Sequence, residues 1–494
     1  MKKVFLATAI IINMSSCTKW LEEKPQSTIT SNLYYKTAED AQAAVNGIYA
    51  FLSAPYNKGG FDNMPYSMLE LTTGTWTNQA QSAFSDDFYH LVYSPSSPYV
   101  STYWTSCYRG IEAANLAIAN IPAVNMPAAD KSNLLGQAKF LRAWYYYNLV
   151  NIFGEVPLKL TPTAKPEDGI LPKSSVKDIY EKGIVPDLTD ATAASLPNTP
   201  DGNGRVSKGA AKALLAKVYL SMAGEPLKQP DKFALAKTVA GDLINQGWFS
   251  LFESDGSLTW FNKLNNTAFD NRQENIFGVN YTLNDANASF PVYFLPKEVK
   301  FTRNSSLQFG GFYPTDDFIN SYASNDLRGK HNMGFFYNTI TVDNKVYTFP
   351  WAIYKFFDKG LLDVSPNSGK DFALLRYADV LLTYAEAQND ADGSPDATAY
   401  AALNSIRSRA GLTPASGLSK DAFRTEIWKE RYWELCAEGK TWYDIVRTKQ
   451  VFNPATGTFT SIIGYKMPSG VIFKTENLKF PIPENEVQIN PLLK

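Results

Sequence analysis

Apolar residues return at every third or fourth position in one stretch after another of this chain, and that spacing restricts its fold more than any other feature. In 38 to 52 the recurring set is Ala41, Ala44, Val45, Ile48 and Leu52, with Thr37 placed to cap the first turn and Glu39 and Asp40 inside it. A second helix over 99 to 121 stops before Pro122. A third, over 129 to 152, puts Phe140, Leu141, Trp144, Tyr145, Asn148, Leu149 and Ile152 on one face and ends at Gly154 and Pro157. That face is aromatic enough to mimic a binding stripe, but spacings of three and four mark a core. Ser207 to Gly224 repeats the pattern with small residues, which let neighbouring helices approach closely. Further helices are expected at 174 to 194, 230 to 247, 371 to 389, 395 to 410 and 419 to 449, several joined in pairs by short Pro or Gly breaks.

The expected fold class is therefore mainly α, a tetratricopeptide-like helical-hairpin scaffold carrying long irregular loops and a few short strands. No strict period of about 34 residues holds, so the repeat is degenerate. The scaffold occupies 38–52, 99–247 and 371–449. Between its parts, 53–98 and 248–370 are rich in Gly, Asn, Ser, Pro and aromatics, with β-like runs at Ile276 to Val279 and Val346 to Phe349. Loops on a rigid frame are where binding function concentrates, so these two regions are the expected ligand-binding regions.

The N-terminus follows an export pattern. Lys2 and Lys3 precede the apolar run Val4 to Ile12, and Ser15 and Ser16 precede Cys17. Residues 1–16 read as a signal peptide, Cys17 as the lipidation site, and 17–37, with Pro25 among Ser and Thr, as an extended tether to a domain spanning 38–494. No later run reaches the roughly 20 apolar residues needed to cross a bilayer, so the chain is expected to be anchored by palmitate-type lipid. Cys107 and Cys436 read as core thiols. Lys and Arg total 47 against 48 Asp and Glu, which leaves no basic excess for a nucleic-acid partner.

Six segments, in order, resemble the SusD/RagB family of surface lipoproteins across nearly the whole mature chain. They are Thr37 to Tyr49, Gly136 to Tyr147 with Phe153 to Pro157, Gly204 to Leu220, Leu375 to Ala387, Glu430 to Gly439, and Pro481 to Val487 followed by Asn490 and Pro491. The chain departs from the family pattern at Lys440 and Thr441, where an Arg is usual before the Trp, and this puts one local ion pair in doubt. The resemblance implies an outer-membrane nutrient-uptake protein that binds glycan and docks on a SusC-like TonB-dependent transporter. Some relatives bind peptides, and a general interaction scaffold is a third reading.

No catalytic constellation stands out. Arg376, Asp379, Thr383 and Glu386 make a polar stripe in which Arg376 beside Asp379 suits an ion pair better than a proton donor. Asp86 with Asp87 and Asp316 with Asp317 are adjacent acids in the loop regions, without the facing arrangement a glycosidase needs. His90 and His331 are isolated from other metal ligands, no cofactor is indicated, and a calcium ion bracing a loop stays open. Asp201 to Gly204 reads as the turn before the helix at 207 rather than a phosphate loop, and Arg272, Arg303 and Arg328 as possible ligand donors.

Sugars present a flat face of C–H bonds bordered by hydroxyls, which an aromatic ring and amides can cover together. Trp76, with Asn78 and Gln79, follows Gly74 in one polar loop. A second set comprises Tyr281, Asn284, Tyr293, Phe294, Phe309, Phe312 and Tyr313, with Trp260 and Trp351 as weaker candidates. The expected ligand-binding residues are Trp76, Asn78, Tyr281, Tyr293 and Phe312.

Overall fold

The computed structural model describes residues 35–56, 64–78, 83–264, 266–284, 286–301, 308–362 and 367–494, the side chains of 83 and 84 excepted. Cys17, Gln79 and Arg303 lie outside the described residues. The long helices are α1 (Ala38–Tyr49), α2 (Pro98–Asn120), α3 (Ala128–Phe153), α4 (Val185–Ala193), α5 (Lys208–Ala223), α6 (Lys232–Asn245), α7 (Tyr377–Asp392), α8 (Ala397–Arg409), α9 (Lys420–Glu434) and α10 (Thr441–Thr448). Their starts follow from local chemistry. Thr37 and Asp40 form a reciprocal capping box on α1, and Ser207, Asp396 and Ser419 accept the third amide of α5, α8 and α9. Each such cap contributes about 1 kcal/mol. Helix α2 packs on α3, α5 on α6, and α7 on both α8 and α9, so the frame is mainly helical and made of neighbouring pairs.

Two expected helices are broken. In 371–389 the chain first runs as strand β6 (Phe372–Arg376), paired antiparallel with β2 (Asn275–Val279), and turns helical only at Tyr377. Phe372, Leu374 and Leu375 are buried against neighbours on both faces of the strand, and that packing overrides the helical spacing. In 419–449 the helix stops after Glu434, because Ala437 and Gly439 both take positive φ, and the Gly439 amide donates to Glu70 Oε1 at 2.5 Å. Over 174–194 the chain makes a π turn, Ile179–Ile184, before α4. Pro186 has no N–H to give, and Val185 instead donates five residues back to Tyr180.

The region 248–370 is more ordered than a set of loops. Besides β2 it holds β3 (Phe312–Pro314), β4 (Phe336–Val342) and β5 (Lys345–Ile353), and β3 pairs antiparallel with β1 (Trp76–Asn78) from the first loop region. Strands β7 (Gln450–Asn453) and β8 (Thr458–Ser461) form a further hairpin after α10. Val292, Leu295, Phe301, Tyr337, Ile340 and Phe349 make a small core of their own beside the main one.

Frame and loop region are locked together by buried charge. Arg376 reaches Glu274 at 2.5 Å, Glu434 at 3.2 Å and Glu438 at 2.6 Å, while Arg328 reaches Asp326, Glu430 and Glu434 at 2.8, 2.5 and 3.1 Å. Burial alone would raise the Glu434 carboxyl, but Arg409, Arg376 and Arg328 outweigh it and hold it down to about 2. Arg328 is thus a fully buried structural residue and not a surface donor for ligand. The polar stripe on α7 is structural too, though with different partners from those expected. Asp379 pairs with Lys217 at 2.5 Å and Arg431 at 2.8 Å, and Glu386 pairs with Arg447 at 2.5 Å. Lys440 turns its ammonium to the Leu374 carbonyl rather than to a carboxylate, and burial followed by the charge of Lys217 pushes it down to about 7. Cys107 and Cys436 are buried, unpaired thiols.

Candidate functional site

All five expected ligand-binding residues are buried, Asn78 at 6% and Tyr281 at 7% exposure included. Trp76 is 1% exposed, its Nε1 donates to Glu70 Oε2 at 2.8 Å, and Phe312 and Phe318 meet it edge-on at centroid distances of 5.0 and 5.5 Å. Phe312 is fully buried between Trp76, Phe294 and Tyr293. Tyr293 lies flat over Gly311, where an added Cβ would fall 1.9 Å from its ring. Asn78 is spent inside the protein, donating to Asp86 Oδ1 at 3.1 Å and accepting from Ser85 Oγ at 3.2 Å. Trp76, Tyr293 and Phe312 therefore correct the expectation of exposed stacking rings. The β1–β3 pair buries one face against the short helix Asp316–Ser321 and β4, and large rings fill that space.

Tyr281 differs. It follows β2 and forms one wall of a cleft of about 450 Å³ between the end of α1, the turn at 201–205 and the segment 280–287. Asn46, Tyr49, Asn203, Arg205 and Asn280 supply most of the remaining polar lining. Arg205 Nη1 donates to Asn46 Oδ1 at 2.6 Å, and Asn280 Nδ2 donates to the Asn203 carbonyl at 2.8 Å. Tyr49 is already satisfied, giving its phenol hydrogen to Gln137 at 2.6 Å and accepting the Val206 amide at 3.0 Å.

Close approach of the turn to Asn280 depends on Gly204. It takes φ +66, and a Cβ there would sit 1.8 Å from Asn280 Nδ2. The Asp201 to Gly204 segment is the expected turn, with Asp201 Oδ1 accepting the amides of Asn203 and Arg205 at 3.0 Å each. It also builds a cleft wall, which its sequence alone did not suggest.

Two polar atoms in this wall have no partner among the described residues. Asn280 Oδ1 and Tyr281 Oη are both buried without a hydrogen bond. Leaving such a group unpaired costs about 1–3 kcal/mol. Tyr281 itself is held from behind, its amide donating to Asp371 Oδ1 at 2.7 Å, while Asn271 Nδ2 reaches Asp371 Oδ2 at 3.1 Å. Burial, and then the neighbouring carboxylate of Asp270, pushes the Asp371 carboxyl up to about 8. Asp270 is raised to about 6 by burial, with Lys370 opposing the rise.

The cleft presents amides, phenols and one guanidinium, a set that binds hydroxyls and offers no nucleophile with an adjacent base. Among the described residues no three His, Cys, Asp or Glu side chains gather as a metal site would require, and no helix is long and apolar enough to cross a membrane. His90 lies 3.6 Å from Asp86, and His331 Nε2 is 3.0 Å from the Ser324 carbonyl. Asn46, Asn203, Arg205 and Asn280 were missed by sequence reasoning. The one available signal was the adjacency of Asn280 to Tyr281 in a non-helical region.

A helical-pair frame bearing a polar, amide-lined cleft is the class of protein the structure defines. A family model described as "SusD family" matches residues 320–494, and one described as "Starch-binding associating with outer membrane" matches 19–220. The fold superposes on a SusD superfamily protein from Parabacteroides distasonis ATCC 8503 with a TM-score of 0.86 and 32% identity, covering 94% of this chain and 98% of that one. SusD-like protein P2 of Formosa agariphila is 26% identical over 483 residues, 90% of this chain and 91% of its own length. A structure titled laminarin binding SusD-like protein shares the fold at a TM-score of 0.71 and 24% identity, over 92% and 98% of the two chains. This chain belongs to the SusD family.

Proposed function

We propose that the protein is a lipid-anchored glycan-binding protein of the cell surface, which captures oligosaccharides or polysaccharides and passes them to a SusC-like TonB-dependent transporter. One observation carries the glycan reading: Asn46, Asn203, Arg205 and Asn280 come from three separate segments to line one cleft with amides and a guanidinium. Sugar hydroxyls both donate and accept, so they match a lining of amides and a guanidinium. Relatives titled laminarin binding and surface glycan-binding support the same ligand class. The anchor rests on Cys17 and the small residues before it. Binding needs no cofactor and no catalytic step in this reading.

Calorimetric titration of the chain from residue 18 onward with a panel of soluble glycans and with mixed peptides is the test. Saturable heat from a glycan, absent with peptides, is the expected result. Binding of peptides alone would move the assignment to a peptide-uptake complex. Co-purification from outer membranes under mild detergent should recover a much larger barrel protein, and its repeated absence would remove the transporter from the account.

A further inference from the structure

Along β1 the side chains alternate, so the register that turns Trp76 into the ring core turns Thr77 the other way. Thr77 and its register partner Tyr313 border a second cleft of about 620 Å³. Its walls come from distant segments: Trp351 on β5, Tyr465 and Lys466 from the loop after β8, and Asp316 and Asp317 at the start of the short helix Asp316–Ser321. Prolines flank these residues, among them Pro350 beside Trp351 and Pro468 beyond Lys466. Proline fixes backbone φ, so the walls hold their shape without ligand.

Trp351 is what sets this cleft apart. Trp76 and Trp260 are 1% exposed and packed against other rings, whereas Trp351 is only half-buried. It rests on the main core on one side and, among the described residues, has no ring partner. Tyr465, also half-buried, lies in the same lining. Asp316 and Asp317 are exposed at the rim, and the charge of Asp317 adds to burial in raising the Tyr465 phenol, which places the two groups near each other.

Flat apolar rings beside exposed carboxylates match one chemistry well. The C–H face of a pyranose covers a ring, and its equatorial hydroxyls donate to carboxylate oxygens in hydrogen bonds stronger than neutral ones. An acidic sugar would instead bring its charge against Asp316 and Asp317, with Lys466 alone in its favour. We propose that this cleft is a second saccharide subsite, selective for neutral or amino sugars and separate from the cleft at Tyr281. The proposal rests on the reading that the protein binds glycans.

The test is fluorine NMR on protein labelled with fluorotryptophan, the Trp351 resonance being assigned by its loss in Trp351→Phe. The probes are laminarihexaose, maltohexaose, cellohexaose, a chitosan hexamer and a galacturonate oligomer, each at about 10 mM, above a millimolar dissociation constant. At least one of the first four should shift the Trp351 resonance, equally in wild type and in an Asn280→Ala, Tyr281→Phe double variant. Asp317→Asn keeps an acceptor and loses only the charge, and should weaken that response about two- to tenfold, the difference between a charged and a neutral hydrogen bond. The galacturonate should leave the resonance in place. A resonance unmoved by all four probes, moved equally by galacturonate, or moved only while Asn280 and Tyr281 are intact, overturns the subsite. Overall binding that is indifferent to the double variant, with Trp351 still responding, would instead sink the first cleft and keep this one.

Discussion

Trp76 and Tyr281 stand in regions of similar composition, each within two residues of an Asn and each at a short strand, yet the fold uses them in opposite ways. Trp76 and Phe312 face inward across a strand pair, where edge-on rings and the Glu70 carboxylate consume every polar and apolar surface they have. Tyr281 leaves its strand at a point where the chain meets a turn and a helix end, and its phenol stays unpaired in a cleft wall. What separates the two is the number of partner elements. A strand closed by a second strand and a helix becomes core, whereas a strand end bordered by three separate segments leaves room between them. Ring type and local polarity do not decide the outcome.

The largest effect is expected in the buried charge beneath both regions. Arg376→Ala takes from Glu274 and Glu438 one of the two cations each faces, leaving Arg409 and Lys355, and should destabilise the protein by about 3 kcal/mol in denaturant unfolding. A loss well under 1 kcal/mol would mean that this network does not hold the loop region on the frame.

Trp76→Phe comes next and keeps the ring packing. It removes the donor to Glu70, a carboxyl that burial already pushes up to about 7, and should lower stability by about 1–3 kcal/mol. Unchanged stability would put Trp76 back among the candidates for ligand contact.

Behind Tyr281, the pH dependence gives a smaller signal with a definite sign. The Asp371 carboxyl is raised on folding, to about 8, so its contribution is complete below the ordinary carboxylate range and is lost as pH rises toward 8. The melting temperature should therefore fall by a few degrees between about pH 6 and 8. Asp371→Asn should flatten that part of the curve, while Asp270 and Glu70, raised to about 6 and about 7, keep some slope and Lys440, lowered to about 7, opposes it above about pH 7. A rising melting temperature over the same range would contradict the buried Asp270–Asp371 arrangement.

The smallest effect is expected from Tyr281→Phe. Its hydroxyl is buried and bonds nothing within the described residues, so removing it should hold or raise stability, by about 1 kcal/mol, with any loss confined to ligand affinity.

The frame could be read from the chain because helical spacing, caps and terminators are local. Thr37 caps the helix it was expected to cap, the helix expected from Ser207 begins at Lys208, and α2 gives way to a single short turn at Pro122. Errors fell where a distant partner decided the structure. Phe372–Arg376 became a strand because β2, about a hundred residues earlier, pairs with it. Trp76 faces inward because β3 pairs with β1 across a separation of 236 residues, between Thr77 and Tyr313. Asn46, Arg205 and Asn280 come from three remote segments, and no local pattern announces that they meet.

The most direct test of the central claim is calorimetric titration of one bound glycan against Asn280→Ala and Trp76→Phe, with a thermal melt of each. Hydroxyl capture in the Tyr281 cleft predicts that Asn280→Ala weakens binding about two- to tenfold, with the melting temperature lowered only by roughly the degree or two that losing its bond to the Asn203 carbonyl costs. It predicts wild-type affinity for folded Trp76→Phe at a lowered melting temperature. Weakened binding in Trp76→Phe together with full affinity in Asn280→Ala would contradict it.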